Sequence, residues 1–324
     1  MIIARAPFRI TLGGGGTDLP SFYEKHGGFV LSMALDKYIY VCLKDLHMSK
    51  KVRLQYSKTE IVDSVDDLQH NRARRALKRH NMLHGYEIVS IADLPASSGL
   101  GSSGSYLVAL LTAIRSYLRL PADPETVANE ACEIEIRDLE EPVGKQDQYI
   151  SAYGGIQELH ISKSGNVDVK SAKVTPHDMS DLLSRLHVYY TGVSRSASEI
   201  LSDQSRLKGK SEDSLLAIKD LGYKFSESLC EGNFDKFGHL LHEHWENKKK
   251  MSNKISFGKV DNLYETARSD YSVLGGKIIG AGGGGFLMLY SSDKESGLQQ
   301  FMESSGLIRL DYGVDTRGAT IVNL

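Results

Sequence analysis

The stretch LPASSGLGSSGSYLVALL, residues 94–111, sets three glycines and five serines in front of an apolar run. Gly99, Gly101 and Gly104 spell G-x-G-x-x-G. Before it, YEIVSIADL (86–94) has the alternation and composition of a strand. After it, SYLVALLTAIRSYLRL (105–120) reads as a helix. A strand, a glycine-serine loop and a helix together make an anion site. N–H groups at a helix start lack partners, and the aligned peptide dipoles place partial positive charge there. Glycine admits close approach of a ligand to the backbone, and serine hydroxyls add donors.

Three ligand readings and a bland one compete for this loop. A dinucleotide site wants an acidic residue about 20 positions on, at the end of a second strand. That region is RSYLRLPADPE, a helix end and a turn. The Walker A pattern fails because no Gly-Lys-Ser/Thr follows. The protein-kinase set fails because neither His-Arg-Asp nor Asp-Phe-Gly occurs. The bland reading is a serine-rich helix cap.

The bulk composition narrows the class. The chain has 324 residues, 41% apolar and 25% charged, with a formal charge of −2, the balance of a globular protein with room for one large or two ordinary domains. No global field draws in nucleic acid or an anionic membrane. Cys42, Cys132 and Cys230 are odd in number and far apart, so neither a disulfide framework nor a zinc site is indicated. MIIARAPF lacks the apolar core of a signal peptide. The longest apolar runs, such as LVALLTAI, are far short of the roughly 20 residues that span a bilayer. The expected compartment is the cytoplasm.

Working outward, residues 1–12 read as a strand that runs into Gly13–Gly16, and GGFVLSMAL and YIYVCLKDL (27–46) read as strands. KVRLQYS (51–57) is another, and Val65–His80 reads as a surface helix. ADPETVANEACEIEIRDLEE (122–141) carries a start signal, with Asp123 as N-cap and Pro124 at the first helical position. Glu135 stands out in it. Ala128, Ala131, Cys132 and Leu139 share its face, so a carboxylate lies on an apolar stripe, where an unpaired charge is costly. Either the stripe turns and Glu135 meets a surface lysine, or the carboxylate has a ligand. GIQELHIS (155–162) is a strand; SRLHVYYTGV (184–193) reads as a new central strand and the start of a second domain. The expected division is 1–183 and 184–324, packed together with a cleft between. In LLHEHWENKKKMS (240–252) the histidines do not have His-Glu-x-x-His spacing, and the expectation is a packing helix with Leu240, Leu241 and Trp245 inside. Lys248–Lys250 then form a solvated last turn, or face an anionic ligand.

ARAPFRITLGGGGTD (4–18), PASSGLGSSGS (95–105) and KIIGAGGGGFLML (277–289) occur in this order along the chain. Together they resemble the three motifs of the galactokinase, homoserine kinase, mevalonate kinase and phosphomevalonate kinase (GHMP) superfamily. The resemblance implies an α+β fold: an α/β N-terminal domain followed by a ferredoxin-like C-terminal domain, with ATP in the cleft. It makes Ser97, Ser98, Gly99, Leu100, Gly101, Ser102, Ser103 and Gly104 the nucleotide-phosphate loop, with Gly282–Gly285 lining or supporting the cleft. GKQDQYIS (144–151) looks like the segment that carries a catalytic aspartate, here Asp147. A sugar hydroxyl is a poor nucleophile, and a carboxylate within reach can take its proton. Arg9 aligns with the arginine placed beside that aspartate. Glu135 and Ser103 become the Mg²⁺ ligands, since Mg²⁺ commonly takes one or two protein oxygens and completes its octahedron with phosphates and water.

The substrate is read from departures. Galactokinases carry Gly-Glu-His-Thr-Asp in the first motif, whereas here the run is Gly14, Gly15, Gly16, Thr17 and Asp18, which puts galactose in doubt and opens space for a bulkier sugar. GGGGTD, EPVGKQDQY, YYTGVSRSASEI, LLHEHWENKKKMS and GAGGGGF are together most similar to one branch, the bacterial D-glycero-D-manno-heptose 7-phosphate kinases. That resemblance implies transfer of the ATP γ-phosphate to the anomeric oxygen, giving the 1,7-bisphosphate for nucleotide-activated heptose and surface polysaccharide. A phosphorylated substrate wants a basic pocket, and TGVSRSAS supplies Thr191, Gly192 and Arg195. The expected partners are ATP and a sugar phosphate, with no nucleic acid and no membrane, and the chain a monomer or homodimer. The alternatives are a kinase of an unphosphorylated, fucose-like sugar or other small alcohol, and a non-catalytic nucleotide- or sugar-binding regulator.

Overall fold

The computed structural model describes residues 1–96, 98–193, 210–252 and 254–322. Its strands are β1 (Ile2–Gly13), β2 (Gly28–Asp45), β3 (Val52–Gln55), β4 (Thr59–Val62), β5 (Tyr86–Ala92), β6 (Ile156–Ile161), β7 (Val167–Ser171), β8 (Leu186–Tyr190), β9 (Val273–Ile278), β10 (Phe286–Ser291), β11 (Ile308–Arg309) and β12 (Thr320–Ile321). Its helices are α1 (Pro20–His26), α2 (Asn71–Arg79), α3 (Ser102–Tyr117), α4 (Pro124–Cys132), α5 (Gln146–Tyr153), α6 (Pro176–Arg185), α7 (Lys210–Cys230), α8 (Phe234–Lys249), α9 (Gly258–Asp270) and α10 (Leu298–Ser304).

The first sheet runs β12-β1-β2-β5-β3-β4, with β6 and β7 continuing from β2. β1 sets the chemistry by its period of two. Ala4, Ala6, Phe8, Ile10 and Leu12 are fully buried in the core, so Arg9 and Thr11 point the other way. GGFVLSMAL and YIYVCLKDL, expected as separate strands, are one 18-residue strand. The polar pair Asp36-Lys37 is the point where β2 changes partner: residues 28–33 pair with β6 and residues 39–45 with β5. Asp36 accepts there from the Gly313 amide at 2.8 Å.

Helix α3 is buried on every side from Gly104 to Ile114. A helix apolar all round belongs in the middle of a core, and α3 packs on β1, β2 and α5. The segment 65–80 is a short 3₁₀ turn followed by α2, with Ala73, Ala76 and Leu77 facing inward. α4 starts as its sequence signals, with the Asp123 carboxylate accepting from the Thr126 amide at 2.9 Å. Asp123→Ala is therefore expected to cost about 1 kcal/mol, read as a lower urea midpoint at unchanged slope. An unchanged midpoint would show that water caps this end equally well. Beyond Cys132 the helix widens into a π turn over Glu133–Asp138.

The second sheet runs β11-β8-β10-β9, antiparallel throughout. In chain order that is the 4-1-3-2 arrangement of a ferredoxin-like unit. The chain then returns. β12 pairs with β1, Ala4 opposite Ile321 and Arg5 opposite Thr320, and so edges the first sheet. Helix α7 also reaches across, with its Phe225 against Gly13 and its Gly222 against Phe29. A Cβ on either glycine would lie 2.5 or 2.7 Å from those rings. Among the described residues no helix is long and apolar enough to cross a membrane.

Candidate active site

A cleft of about 460 Å³ lies where the two sheets meet, and it is lined by all three glycine-rich segments. From β1 come Arg9 and Thr11, delivered by the strand alternation described above. From the loop before α3 come Gly99, Gly101, Ser102 and Ser103. Gly101 is the N-cap of α3 in left-handed geometry, φ 81°. Ser102 and Ser103 thus open the helix with unpartnered N–H groups at the positive end of its dipole. From the third segment come Gly280, Ala281, Gly282 and Gly284.

The two glycine loops touch through their backbones. A Cβ on Gly280 would lie 2.7 Å from the Gly99 carbonyl oxygen, and one on Gly285 would lie 2.2 Å from that of Ser98. Both residues have positive φ, 73° and 83°. Any side chain would drive the loops apart.

Asp147 opens α5 and lies against the underside of the phosphate loop. A Cβ on Gly104 would stand 2.6 Å from the Asp147 Cβ. Arg9 Nε donates to Asp147 Oδ1 at 2.7 Å, and a terminal nitrogen of the same guanidinium lies 2.7 Å from that oxygen. Another guanidinium nitrogen donates to the Gly99 carbonyl at 2.6 Å, and the Arg9 amide donates to Leu100 at 3.0 Å. One arginine therefore fixes the carboxylate and the loop in a single geometry. Among the described residues nothing hydrogen-bonds Asp147 Oδ2.

Asp18 faces the same cleft and accepts from the amides of Gly16 and Gln146, each at 3.1 Å. Burial pushes its pKa above the ordinary carboxylate value, against the pull of those amides. Gly144 must be glycine, since a Cβ there would lie 1.9 Å from Asp18 Oδ2. Gln146 ties Asp18 to Thr11, accepting from the Thr11 hydroxyl at 2.5 Å and donating to Asp18 Oδ1 at 3.4 Å.

Several residues expected on the wall lie elsewhere. Thr17 is fully buried, and its hydroxyl has its one proton within reach of the Gly14 and Phe29 carbonyls and accepts from the Phe29 amide, so it shapes the loop rather than touching a sugar. Gly14 packs on β2, where a Cβ would be 2.0 Å from the Phe29 oxygen; Gly15 and Gly16 line the cleft. Ser98 is buried, Leu100 belongs to the core, and Gly104 seats Asp147 from beneath. Thr191 bonds the Gly285 carbonyl through both amide and hydroxyl, each at 2.9 Å, and so buttresses the third loop. Neither it nor Gly192 lines the cleft. Ser97 and Arg195 lie outside the described residues.

Glu135 is fully buried and meets an arginine, not a surface lysine. Arg72 Nε donates to its Oε1 at 2.6 Å and Gln148 Nε2 to its Oε2 at 2.5 Å. Burial raises its pKa, and Arg72 opposes that rise. With one oxygen on each of these donors and no face on the cleft, Glu135 does not fit a Mg²⁺ ligand as it stands. Ser103 does face the cleft, and among the described residues no cluster of three or more His, Cys, Asp or Glu could hold a metal.

Sequence reasoning missed Arg72, Gln146 and Lys277, all of which line the cleft; it set His244 in a packing helix and Lys248 in a last turn either solvated or facing an anionic ligand, and both line the cleft too. Lys277 carried a signal: a lone charge inside the apolar run VLGGKIIG. His244 and Lys248 share a helix face by their spacing of four, but nothing in the sequence says what that face meets.

Comparison with known proteins agrees with this layout. The chain matches the GHMP kinases N terminal domain over residues 69–155 and the GHMP kinases C terminal domain over residues 225–304. It is 28% identical to a D-glycero-alpha-D-manno-heptose 7-phosphate kinase of Campylobacter jejuni over 89% of each chain. It is 26% identical to an L-fucokinase/L-fucose-1-P guanylyltransferase of Bacteroides fragilis, over 92% of this chain and 35% of that protein. Its fold superposes on a D-glycero-D-manno-heptose 1-phosphate kinase from Bacteroides thetaiotaomicron with a TM-score of 0.80, at 22% identity over 100% of this chain and 99% of that one. The two matched regions together take in more than half the chain and fall on the two halves that wall the cleft: this protein belongs to the GHMP kinases and is a sugar kinase, a phosphotransferase.

Proposed function

We propose that this kinase transfers the γ-phosphate of ATP to the anomeric hydroxyl of D-glycero-D-manno-heptose 7-phosphate, giving the 1,7-bisphosphate. The observation that carries the chemistry is the junction at Asp147. There a carboxylate with one unengaged oxygen sits between a helix-start phosphate loop and a buried aspartate. The reading of the sugar is supported by the likeness to the Campylobacter jejuni heptose 7-phosphate kinase along 89% of each chain.

The triphosphate lies over Gly99–Ser103, its charge met by the N–H groups that open α3. Asp18 receives sugar hydroxyls beside Gly15 and Gly16. Asp147 Oδ2 takes the proton of the anomeric hydroxyl as the anomeric oxygen bonds to the γ-phosphorus and the bond to the β–γ bridging oxygen breaks, releasing ADP. Arg9 keeps Asp147 facing the transfer line. Most of the acceleration comes from this positioning and from charge neutralisation rather than from the base. ATP would arrive with Mg²⁺, and Ser103 is the assigned oxygen that reaches the cleft.

The test mixes purified protein with ATP, Mg²⁺ and a panel of sugars and sugar phosphates and follows ADP release. Rapid turnover of the heptose 7-phosphate, with a new anomeric phosphate ester in the ³¹P spectrum, is the expected result. Turnover of L-fucose or other free sugars but not of the 7-phosphate would favour a second reading, which the Bacteroides fragilis relative supports. ATP binding with no turnover of any member would leave a regulator.

A further inference from the structure

One part of the cleft is lined by a buried histidine and two buried lysines. His244 and Lys248 are one turn apart on α8 and Lys277 is on β9; all three line the cleft. Their exposures are 2%, 8% and 2%. Among the described residues neither amine has a carboxylate at ion-pair distance; the charge of Arg9 acts on both, and that of Lys248 acts on Lys277. Burial and these like charges hold the Lys248 pKa down at about 7 and press that of Lys277 well below the ordinary lysine value. The Asp147 carboxylate does not relieve them, because it is paired with Arg9.

The donor inventory is incomplete in the same place. Counted as the ammonium that an anion would favour, Lys248 donates to the carbonyls of Ile278 at 2.9 Å and Gly280 at 2.5 Å, leaving one of its three N–H groups among the described residues. Lys277 donates to Leu12 at 2.8 Å, leaving two. Among the described residues neither ring nitrogen of His244, both buried, has a partner. Burying unpaired charge and unpaired polar atoms costs several kcal/mol, and folded proteins leave such groups together where something else completes them. The completing group must be anionic and must offer several acceptor oxygens. A phosphoryl dianion does both.

We propose that His244, Lys248 and Lys277 form an anion subsite that holds the phosphoryl group carried by the acceptor sugar. This rests on the reading of the substrate as a sugar phosphate. Placement favours the acceptor over the nucleotide. Lys277 is tied to Leu12, at the start of the run that leads through Gly15 and Gly16 to Asp18, and Phe225, a ring neighbour of His244, packs on Gly13. The nucleotide phosphates already have the N–H groups at the start of α3, and Lys248, bonded to Gly280 beside Gly99, stands between that loop and the other two side chains. Arg195, the group expected from the sequence to recognise the 7-phosphate, lies outside the described residues.

Lys248→Met, Lys277→Met and His244→Asn test it. Met keeps the aliphatic length and removes a buried unpaired charge, so the thermal midpoint should hold or rise. Each lysine variant should raise KM for heptose 7-phosphate at least about tenfold and cut the preference for the 7-phosphate over the unphosphorylated heptose by the same factor. A KM for ATP that rises as much as that for the sugar would assign the subsite to the γ-phosphate and overturn the proposal. Unchanged KM values for both would also overturn it. A second measurement is independent of turnover: inorganic phosphate titrated calorimetrically into protein saturated with a non-hydrolysable ATP analogue. Binding that is lost in Lys277→Met and weakened in His244→Asn supports the subsite even where heptose 7-phosphate proves not to be the substrate. Phosphate that binds only in the absence of the analogue, or not at all, sinks it.

Discussion

Asp147→Asn is expected to lower kcat by about two to four orders of magnitude, the usual contribution of a positioned general base, or roughly 3–5.5 kcal/mol of barrier at 1.36 kcal/mol per decade. Asparagine is nearly isosteric, and its amide oxygen can still accept from Arg9, so the seat beneath Gly101 and Gly104 stays filled. What disappears is an acceptor for the anomeric proton. Affinity for ATP should stay within about twofold, because the triphosphate meets the loop rather than the carboxylate. Single-turnover rates read beside calorimetric ATP binding separate the two effects. A kcat within tenfold of the wild type would remove Asp147 from the role of base and leave the cleft to act by positioning alone.

Glu135→Ala is expected to cost about 3–5 kcal/mol of folding stability, the range for removing one partner of a buried ion pair. The lower end is favoured, because the Arg72 side chain is 22% exposed and can turn toward water or toward Glu141, 3.4 Å away. Gln148 has no such exit. It is 1% exposed and its Oε1 already lacks a partner among the described residues. Glu135→Gln should be milder, since a turned Gln148 amide can place that orphan oxygen toward the new NH₂ while Arg72 keeps an acceptor. Urea midpoints of the two variants decide this. Equal losses would show that charge, not the bonding pattern, holds the site. A loss below about 1 kcal/mol in Glu135→Ala would mean that Arg72 had re-paired.

The architecture was legible in the sequence where local rules govern. The alternation in β1, the Asp123 cap with Pro124 behind it, and the glycine loop between β5 and α3 each follow from residues adjacent in the chain. The π turn after Cys132 was not legible, because a carboxylate on an apolar stripe is read on a regular helical period, and a wider turn breaks that period. β2 was split at Asp36-Lys37 because a polar pair reads as a turn; its meaning as the handover between β6 and β5 depends on strands more than 45 residues away. The return of β12 to β1 is a pairing across nearly the whole chain, and no local pattern announces it.

The site divides in the same way. Motif residues such as Arg9, Gly101, Ser103 and Asp18 are named by their runs, and the structure brings them to one cleft. Thr17, Thr191 and Glu135 belong to the same runs but turn their polar atoms into the protein, on Phe29, Gly285 and Arg72. A motif tells which segments come together, not which side chains face inward. Lys248 shows the converse. In a run of three lysines at a helix end, only the contact with the second sheet decides that this one, bonded to Ile278 and Gly280, is buried while its neighbours are not.

The homeward path of the final residues bears on how a sugar gets in. The polypeptide passes between its two sheets near residue 186 and again between residues 310 and 320, and α7 is clamped against β1 and β2 as a third brace. A jaw fastened at one corner swings; one riveted at several points keeps its gape. Rejection of oversized sugars should then lie in the fixed outline of the mouth, which leaves only the choice among sugars that fit to the groups inside.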